Sequence, residues 1–240
     1  MRVAFSGQVS KDPMYPELNE DKFDSDLDKN RIALSDGATE SYDSKLWASL
    51  LVTNHVKTAA FNKDWVEEQI NLYLSEFDLQ NLSWSKQAAF DRGSFATLVS
   101  VEYDESHKCV DVMVIGDSFV ALINDNCLID TYPYSNSSSF RNRPELISTT
   151  RAHNNFIDEK NFYNNHSKRW NIDCFSKPLI LCMTDALGEW ALTQHENKKE
   201  VWSQLLNIRS LDQLTELVIT ERGLKSMRVD DVTLMKLVFD

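Results

Sequence analysis

The chain has 240 residues, of which 42% are hydrophobic and six are Trp. That length fits one large domain or two small ones, and no linker rich in Pro, Gly or Ser divides it, so one unit spanning residues 1–240 is expected. Its 37 acidic against 25 basic residues give a formal net charge of −12, which argues against a nucleic acid or an anionic membrane as partner.

Taken in chain order, residues 1–9 and 30–36 read as strands, the second ending at Asp36. Beyond Thr39 the apolar residues Leu46, Trp47, Leu50, Leu51 and Val56 recur at helical spacing. A second helix is expected over 63–77 and a short one over 84–90. A meander of strands follows at 95–103, 109–115, 119–124 and 127–130. Turn sequences separate these strands, Gly116-Asp117-Ser118 and Asn124-Asp125-Asn126 among them. Residues 131–177 are polar and rich in Asn and Ser, and read as a flap or insert containing some helix. Residues 178–184 form a buried strand running into Asp185. Helices are expected at about 188–192, 196–206 and 211–221, and a last strand at 231–239. Strands, helices, an antiparallel meander, helices and a closing strand make an α+β arrangement rather than a βαβ alternation.

The first residues lack the long apolar region of a signal peptide, and no apolar stretch is long enough to span a membrane. Cys109, Cys127, Cys174 and Cys182 form no CxxC pair, so a reducing, cytoplasmic setting is expected. Trp47, Trp65 and Trp202 fall at helical core spacing.

Four short acidic motifs carry the chemistry: Asn19-Glu20-Asp21, Ser35-Asp36-Gly37, Thr184-Asp185-Ala186 and Asp230-Asp231-Val232-Thr233. Each has a plain structural reading, as a polar turn, a hairpin turn, a helix N-cap and a strand entry respectively. Carboxylates at strand ends can nevertheless converge in space, and a converged set suits hard divalent cations, which prefer oxygen ligands. Asp117 reads as a turn residue, and Gly93, Ser94 and Thr97 as sheet packing.

In this order, with Gly93-Ser94-Phe95-Ala96-Thr97 and Ile115-Gly116-Asp117-Ser118 between them, the motifs resemble the metal-dependent protein phosphatases of type 2C. The nearest likeness is to the small, divergent bacterial branch. The resemblance spans nearly the whole chain, the flap matching poorly. It implies a four-layer α-β-β-α sandwich with two central, mostly antiparallel sheets flanked by helices. It also implies two Mn²⁺ or Mg²⁺ ions at one edge of those sheets. By position, Asp36 would bridge both metals, Asp185 and Asp230 would complete one shell, and the Gly37 carbonyl would bind the other ion, helped by Asp21 and Glu20. Such a site hydrolyses phosphoserine and phosphothreonine through a metal-activated water. A monomer acting on a phosphoprotein, a kinase or a kinase's target in bacterial signalling, is then expected.

The chain departs from the family at several positions. Many members carry an Arg three residues before Asn-Glu-Asp to grip the phosphate; Pro16 stands there, with Lys11, Lys22, Arg31 or a flap Arg as substitutes. Asp231 replaces an Asn, Glu189 an Asp and Phe119 an Arg, and there is no clear counterpart to the flap Asp of a third metal. Two alternatives therefore stand beside the enzyme: a weak or inactive phosphatase-like module that binds a phosphoprotein or kinase, and a small-molecule phosphohydrolase on the same fold.

Overall fold

The computed structural model describes residues 1–78 and 83–239. In chain order its elements are β1 (Arg2–Val9), β2 (Lys22–Asp26), β3 (Arg31–Ser35), α1 (Ser44–Thr58), α2 (Lys63–Ser75), α3 (Trp84–Arg92), β4 (Phe95–Ala96), β5 (Leu98–Asp104), β6 (Cys109–Ile115), β7 (Phe119–Asn124), β8 (Cys127–Tyr132), β9 (Ile147–Ser148), α4 (Phe162–His166), β10 (Ser167–Asn171), β11 (Pro178–Met183), α5 (Asp185–Glu196), α6 (Val201–Asn207), α7 (Leu211–Gly223) and β12 (Val232–Val238).

Side chains alternate across each strand, and here both faces of the central strands are apolar. In β7, Phe119, Ala121 and Ile123 pack with the α5, α6 and α7 side chains Trp190, Trp202 and Leu214. Val120 and Leu122, between them in sequence, turn the other way to meet Ile32, Val99 and Val112. Leu181 and Met183 of β11 face the helices, whereas Ile180 and Cys182 face the opposing sheet. On the far side, Ala33, Leu98 and Ile115 pack with Trp47, Leu51 and Ile70 of α1 and α2. These three apolar layers define an α-β-β-α sandwich.

Each main sheet has five strands, in the orders β1-β12-β11-β7-β8 and β10-β6-β5-β3-β2. Every pairing within them is antiparallel. The α1, α2 and α7 N-termini are each closed by a side chain, with Asp43, Asn62 and Ser210 accepting from Leu46 N, Trp65 N and Gln213 N.

The structure differs from the sequence expectation at several places, among them α6, which starts at Val201 where a helix from about 196 is expected. Residues 22–26, to which the sequence reading assigns no element, form edge strand β2, paired to β3 from Lys22↔Ser35 to Asp26↔Arg31. The 131–177 segment ends in β10, which pairs with β6 and closes the other edge of that sheet. Helix α5 begins at Asp185 rather than Gly188 and runs to Glu196. Gly188 lies in its interior because a Cβ there would come within 2.7 Å of Phe119 Cβ; the close approach of helix to strand excludes a side chain.

The strand registers bring the acidic motifs to one end of both sheets. The end of β3 pairs with the start of β2, and the end of β6 with the start of β5. In the other sheet the start of β12 pairs with the end of β1, and the end of β11 with the start of β7. Residues 19–21, 36–37, 116–118, 184–185 and 230–231 therefore leave the sheets on a common edge.

Candidate active site

Asp36 follows the last residue of β3 and is half-buried. Its backbone N–H donates to Thr97 Oγ1 at 2.9 Å, and its carbonyl accepts from Thr97 N at 2.9 Å. Thr97 Oγ1 lies 2.8 Å from Ser118 Oγ, and Ser35 Oγ donates to the Thr97 carbonyl at 2.5 Å. Thr97, read from sequence as a packing residue, is thus the clamp that fixes Asp36 on the sheet end. Gly37 bridges to Ala96 and is pressed against α1: a Cβ would lie 2.8 Å from Ser44 Cβ and 2.9 Å from Ser44 O.

Asp21 is fully buried. Its Oδ2 accepts from Thr184 Oγ1 at 3.0 Å and Thr233 Oγ1 at 2.7 Å, and its Oδ1 has no partner. Burial pushes the carboxyl up to about 7, against the hydroxyl bond from Thr233 and with the repulsion of Asp231 and Asp230. Asp36 is driven well above the ordinary carboxylate range by burial first, then by Asp21, Asp117 and Asp230; Arg228 opposes that rise. Asp117, read as a turn residue, belongs to the same constellation. Burial raises its pKa, and its charge is felt alongside those of Arg228 and Asp230.

Asp185 is the first residue of α5, where the helix dipole favours a negative charge. Its Oδ2 is ion-paired to Arg228 Nη2, and its buried Oδ1 has no hydrogen-bond partner. Glu189, one turn later, lies 3.8 Å from Arg228 Nη1. Glu20 is held from three sides: Lys11 Nζ on Oε2, Thr39 Oγ1 at 2.9 Å on the same oxygen, and Ser44 Oγ on Oε1. Asp230 precedes β12, and its Oδ1 accepts from Asp231 N at 2.9 Å. Arg222 donates to its carbonyl and to that of Ser10 at 3.0 Å.

Asp231 has a different task. Its Oδ1 accepts from Lys11 N and its Oδ2 from Glu20 N, both at 2.7 Å. One carboxylate thereby straps both ends of the 11–20 loop to the start of β12. Gln8 Nε2 reinforces the strap by donating to the Asp21 carbonyl at 2.9 Å and Thr233 Oγ1 at 3.0 Å.

All six residues of the sequence-derived set (Glu20, Asp21, Asp36, Gly37, Asp185 and Asp230) lie at this edge. The sequence reading takes Asp117 for a turn residue and Asp231 for a replaced Asn, and does not single out Arg228. Among the described residues, no group of three or more His, Cys, Asp or Glu side chains is placed so that it could hold a metal ion. The donors nonetheless fit a hard divalent cation. They are oxygens, two of them buried without a partner, and the carboxylates around Asp36 repel one another, a repulsion that Arg228 offsets in part.

No family model matches the chain, and no curated protein does. Solved structures do. The Mycobacterium tuberculosis serine/threonine phosphatase PstP/Ppp superposes with a TM-score of 0.59 at 13% identity, covering 98% of both chains. PppA, a regulatory component of the type VI secretion system of Pseudomonas aeruginosa, gives 0.56 at 16% identity over 98% of this chain and 97% of that one. The catalytic domain of PstP in complex with two manganese ions gives 0.51 at 15% identity, covering 98% of both. The chain has the fold of these phosphatases.

Proposed function

We propose that this chain is a divergent member of the type 2C phosphatases and hydrolyses phosphoserine and phosphothreonine in proteins with Mn²⁺ or Mg²⁺ bound. The observation that carries the reading is the convergence of Asp21, Asp36, Asp117, Asp185 and Asp230 on one sheet edge of a fold shared with such enzymes. Asp36, Asp185, Asp230 and the Gly37 carbonyl would hold the cations, two by analogy with the manganese-bound neighbour, with Asp21 and Glu20 contributing directly or through water. When bound, such ions polarise a phosphoryl oxygen and lower the pKa of a coordinated water toward neutrality.

The remaining work falls to the chain's own residues. Thr97 and Ser118 hold Asp36 in place through its backbone. Asp231 fixes the loop bearing Glu20 and Asp21. Thr184 and Thr233 orient Asp21, leaving one oxygen without a protein partner. Ordering these groups before substrate arrives is what makes positioning and electrostatics effective. The setting would be the reducing cytoplasm expected from the cysteine spacing. No described helix is long and apolar enough to cross a membrane. The substrate would be the product of a kinase, in a signalling role, and the working form a monomer.

A binding module without turnover is the second reading. One observation favours it: Asp185 and Glu20 are already paired with Arg228 and Lys11. Calorimetric titration of Mn²⁺ together with hydrolysis of para-nitrophenyl phosphate separates the two. Binding with EDTA-sensitive turnover is the expected result; binding with no turnover, or no binding at all, refutes the enzyme reading and supports the module.

A further inference from the structure

A dianionic phosphoryl group approaching this edge meets carboxylates, so a cation must receive it. The cations suggested by sequence are mostly occupied elsewhere. Lys22 Nζ caps the carbonyls of Asn19 and Asp21 at 2.9 and 2.6 Å. Arg31 pairs with Glu102 at 3.0 Å, and the flap residue Arg151 binds Glu67 and Asn71 on α2. Lys11 is tied to Glu20 and Thr39.

Arg228 is paired too, with Asp185 and Glu189, and what sets it apart is its position. It sits in the turn between α7 and β12, which the helix end makes rigid. Ser226 N and Met227 N both donate to the Glu221 carbonyl, at 3.0 and 3.3 Å, and Met227 is buried in the core. The turn therefore presents Arg228 at a fixed point, against Asp185 and Glu189 on one face of the first turns of α5. Its side chain is 36% exposed, and its charge reaches Asp36 and Asp117. Beside it opens a cavity of about 370 Å³, lined by Lys225, Ser226, Thr193 and Glu189 among others. In a protein of net charge −12, a guanidinium and an ammonium line one cleft beside the acidic edge. A guanidinium also offers two parallel N–H donors that match phosphate oxygens, which an ammonium cannot.

We infer that Arg228, with Lys225 beside it, binds the phosphoryl group of the substrate and the inorganic phosphate product at the Asp185 end of the carboxylate cluster. The substrate role rests on the phosphatase reading proposed above. Arg228 is then a substrate-binding residue that uses Asp185 as its resting counter-ion. Asp185 would be free to hold a divalent cation once Arg228 turns to the phosphoryl group.

The probes are inorganic phosphate and para-nitrophenyl phosphate, with the full chain in Mg²⁺. Arg228→Gln should weaken phosphate binding by calorimetry, and raise both its inhibition constant and the KM for para-nitrophenyl phosphate, by roughly 10- to 100-fold, the span of a charge-assisted hydrogen bond. Arg228→Lys should recover part of the loss. Mg²⁺ affinity should be unchanged or tighter, since a competing cation has gone. That separates a phosphate grip from a merely structural role. Unchanged phosphate affinity in Arg228→Gln overturns the inference, as does weakened Mg²⁺ binding of the same size as the phosphate loss. If the wild type binds phosphate but hydrolyses nothing, the phosphatase reading fails, and the variant's loss of binding still decides the grip.

Discussion

Replacing Asp21 by Asn in the cation-free protein is expected to stabilise the fold at alkaline pH. The Asp21 carboxyl is fully buried, with one oxygen on two threonine hydroxyls and the other on nothing. Burial, with Asp231 and Asp230 close by, pushes it up to about 7 from an ordinary 3.8. An acid whose native pKa exceeds its unfolded value holds its proton more tightly when folded. Its stabilising contribution is complete below about pH 3.8 and is lost as the pH rises to about 7. At ~1.4 kcal/mol for each pH unit between those values, the loss is on the order of 4 kcal/mol. Asn is neutral throughout and keeps one oxygen for a hydroxyl. The variant should therefore gain ~2–4 kcal/mol over wild type at pH 8 and gain nothing at pH 4. Urea denaturation in EDTA, followed by Trp fluorescence from pH 4 to 8, measures this. Saturating Mn²⁺ should erase or reverse the difference, because a ligand at ~100 times its Kd adds ~2.7 kcal/mol to the state that binds it. A variant destabilised by the same amount at both pH values would refute the reasoning.

Three further outcomes follow from other parts of the fold. His55 is buried against Ser100 and Trp65, and burial, with the Arg31 charge, lowers its pKa to about 4. Its contribution is present above pH 6.5 and lost toward pH 4, about 3 kcal/mol in all, and His55→Gln should flatten that limb of the stability profile. Gly37→Ala forces a Cβ against the backbone of α1 at Ser44; it should cost about 1–3 kcal/mol in thermal unfolding and weaken Mn²⁺ binding together. A thiol reagent should label the exposed Cys127 and Cys174 in the native protein. It should reach Cys109 and Cys182 only on unfolding, since both are buried and burial raises the Cys182 thiol further.

The sandwich was legible because its strands are short apolar runs with turn sequences between them, and because Trp47, Trp65 and Trp202 announce the helix faces that they bury. The two edge strands of the β10-β6-β5-β3-β2 sheet were not. Lys22-Phe23-Asp24-Ser25-Asp26 and Ser167-Lys168-Arg169-Trp170-Asn171 are polar because only one side of each is covered, so composition reads them as loops. Gly188 misled the start of α5, since nothing local says that a glycine is present to let Phe119 approach. At the site, Asp36, Asp185 and Asp230 were legible from their positions at strand ends. Asp117 was not, because a Gly-Asp-Ser turn looks the same whether or not its carboxylate faces others. Arg228 was invisible for a similar reason: its partner Asp185 lies 43 positions away and only the fold joins them. Asp231, a substitution that looked peripheral, earns its place by accepting two backbone N–H groups and pinning the loop that carries Glu20 and Asp21.

The most direct test of the account is phosphate release from a phosphothreonine peptide in Mn²⁺, with wild type and Asp36→Asn run side by side. Turnover that EDTA stops and that Asp36→Asn lowers at least ~100-fold is the predicted result. Turnover that survives EDTA, or that Asp36→Asn leaves intact, would contradict a cation-dependent reaction at the convergence of these carboxylates.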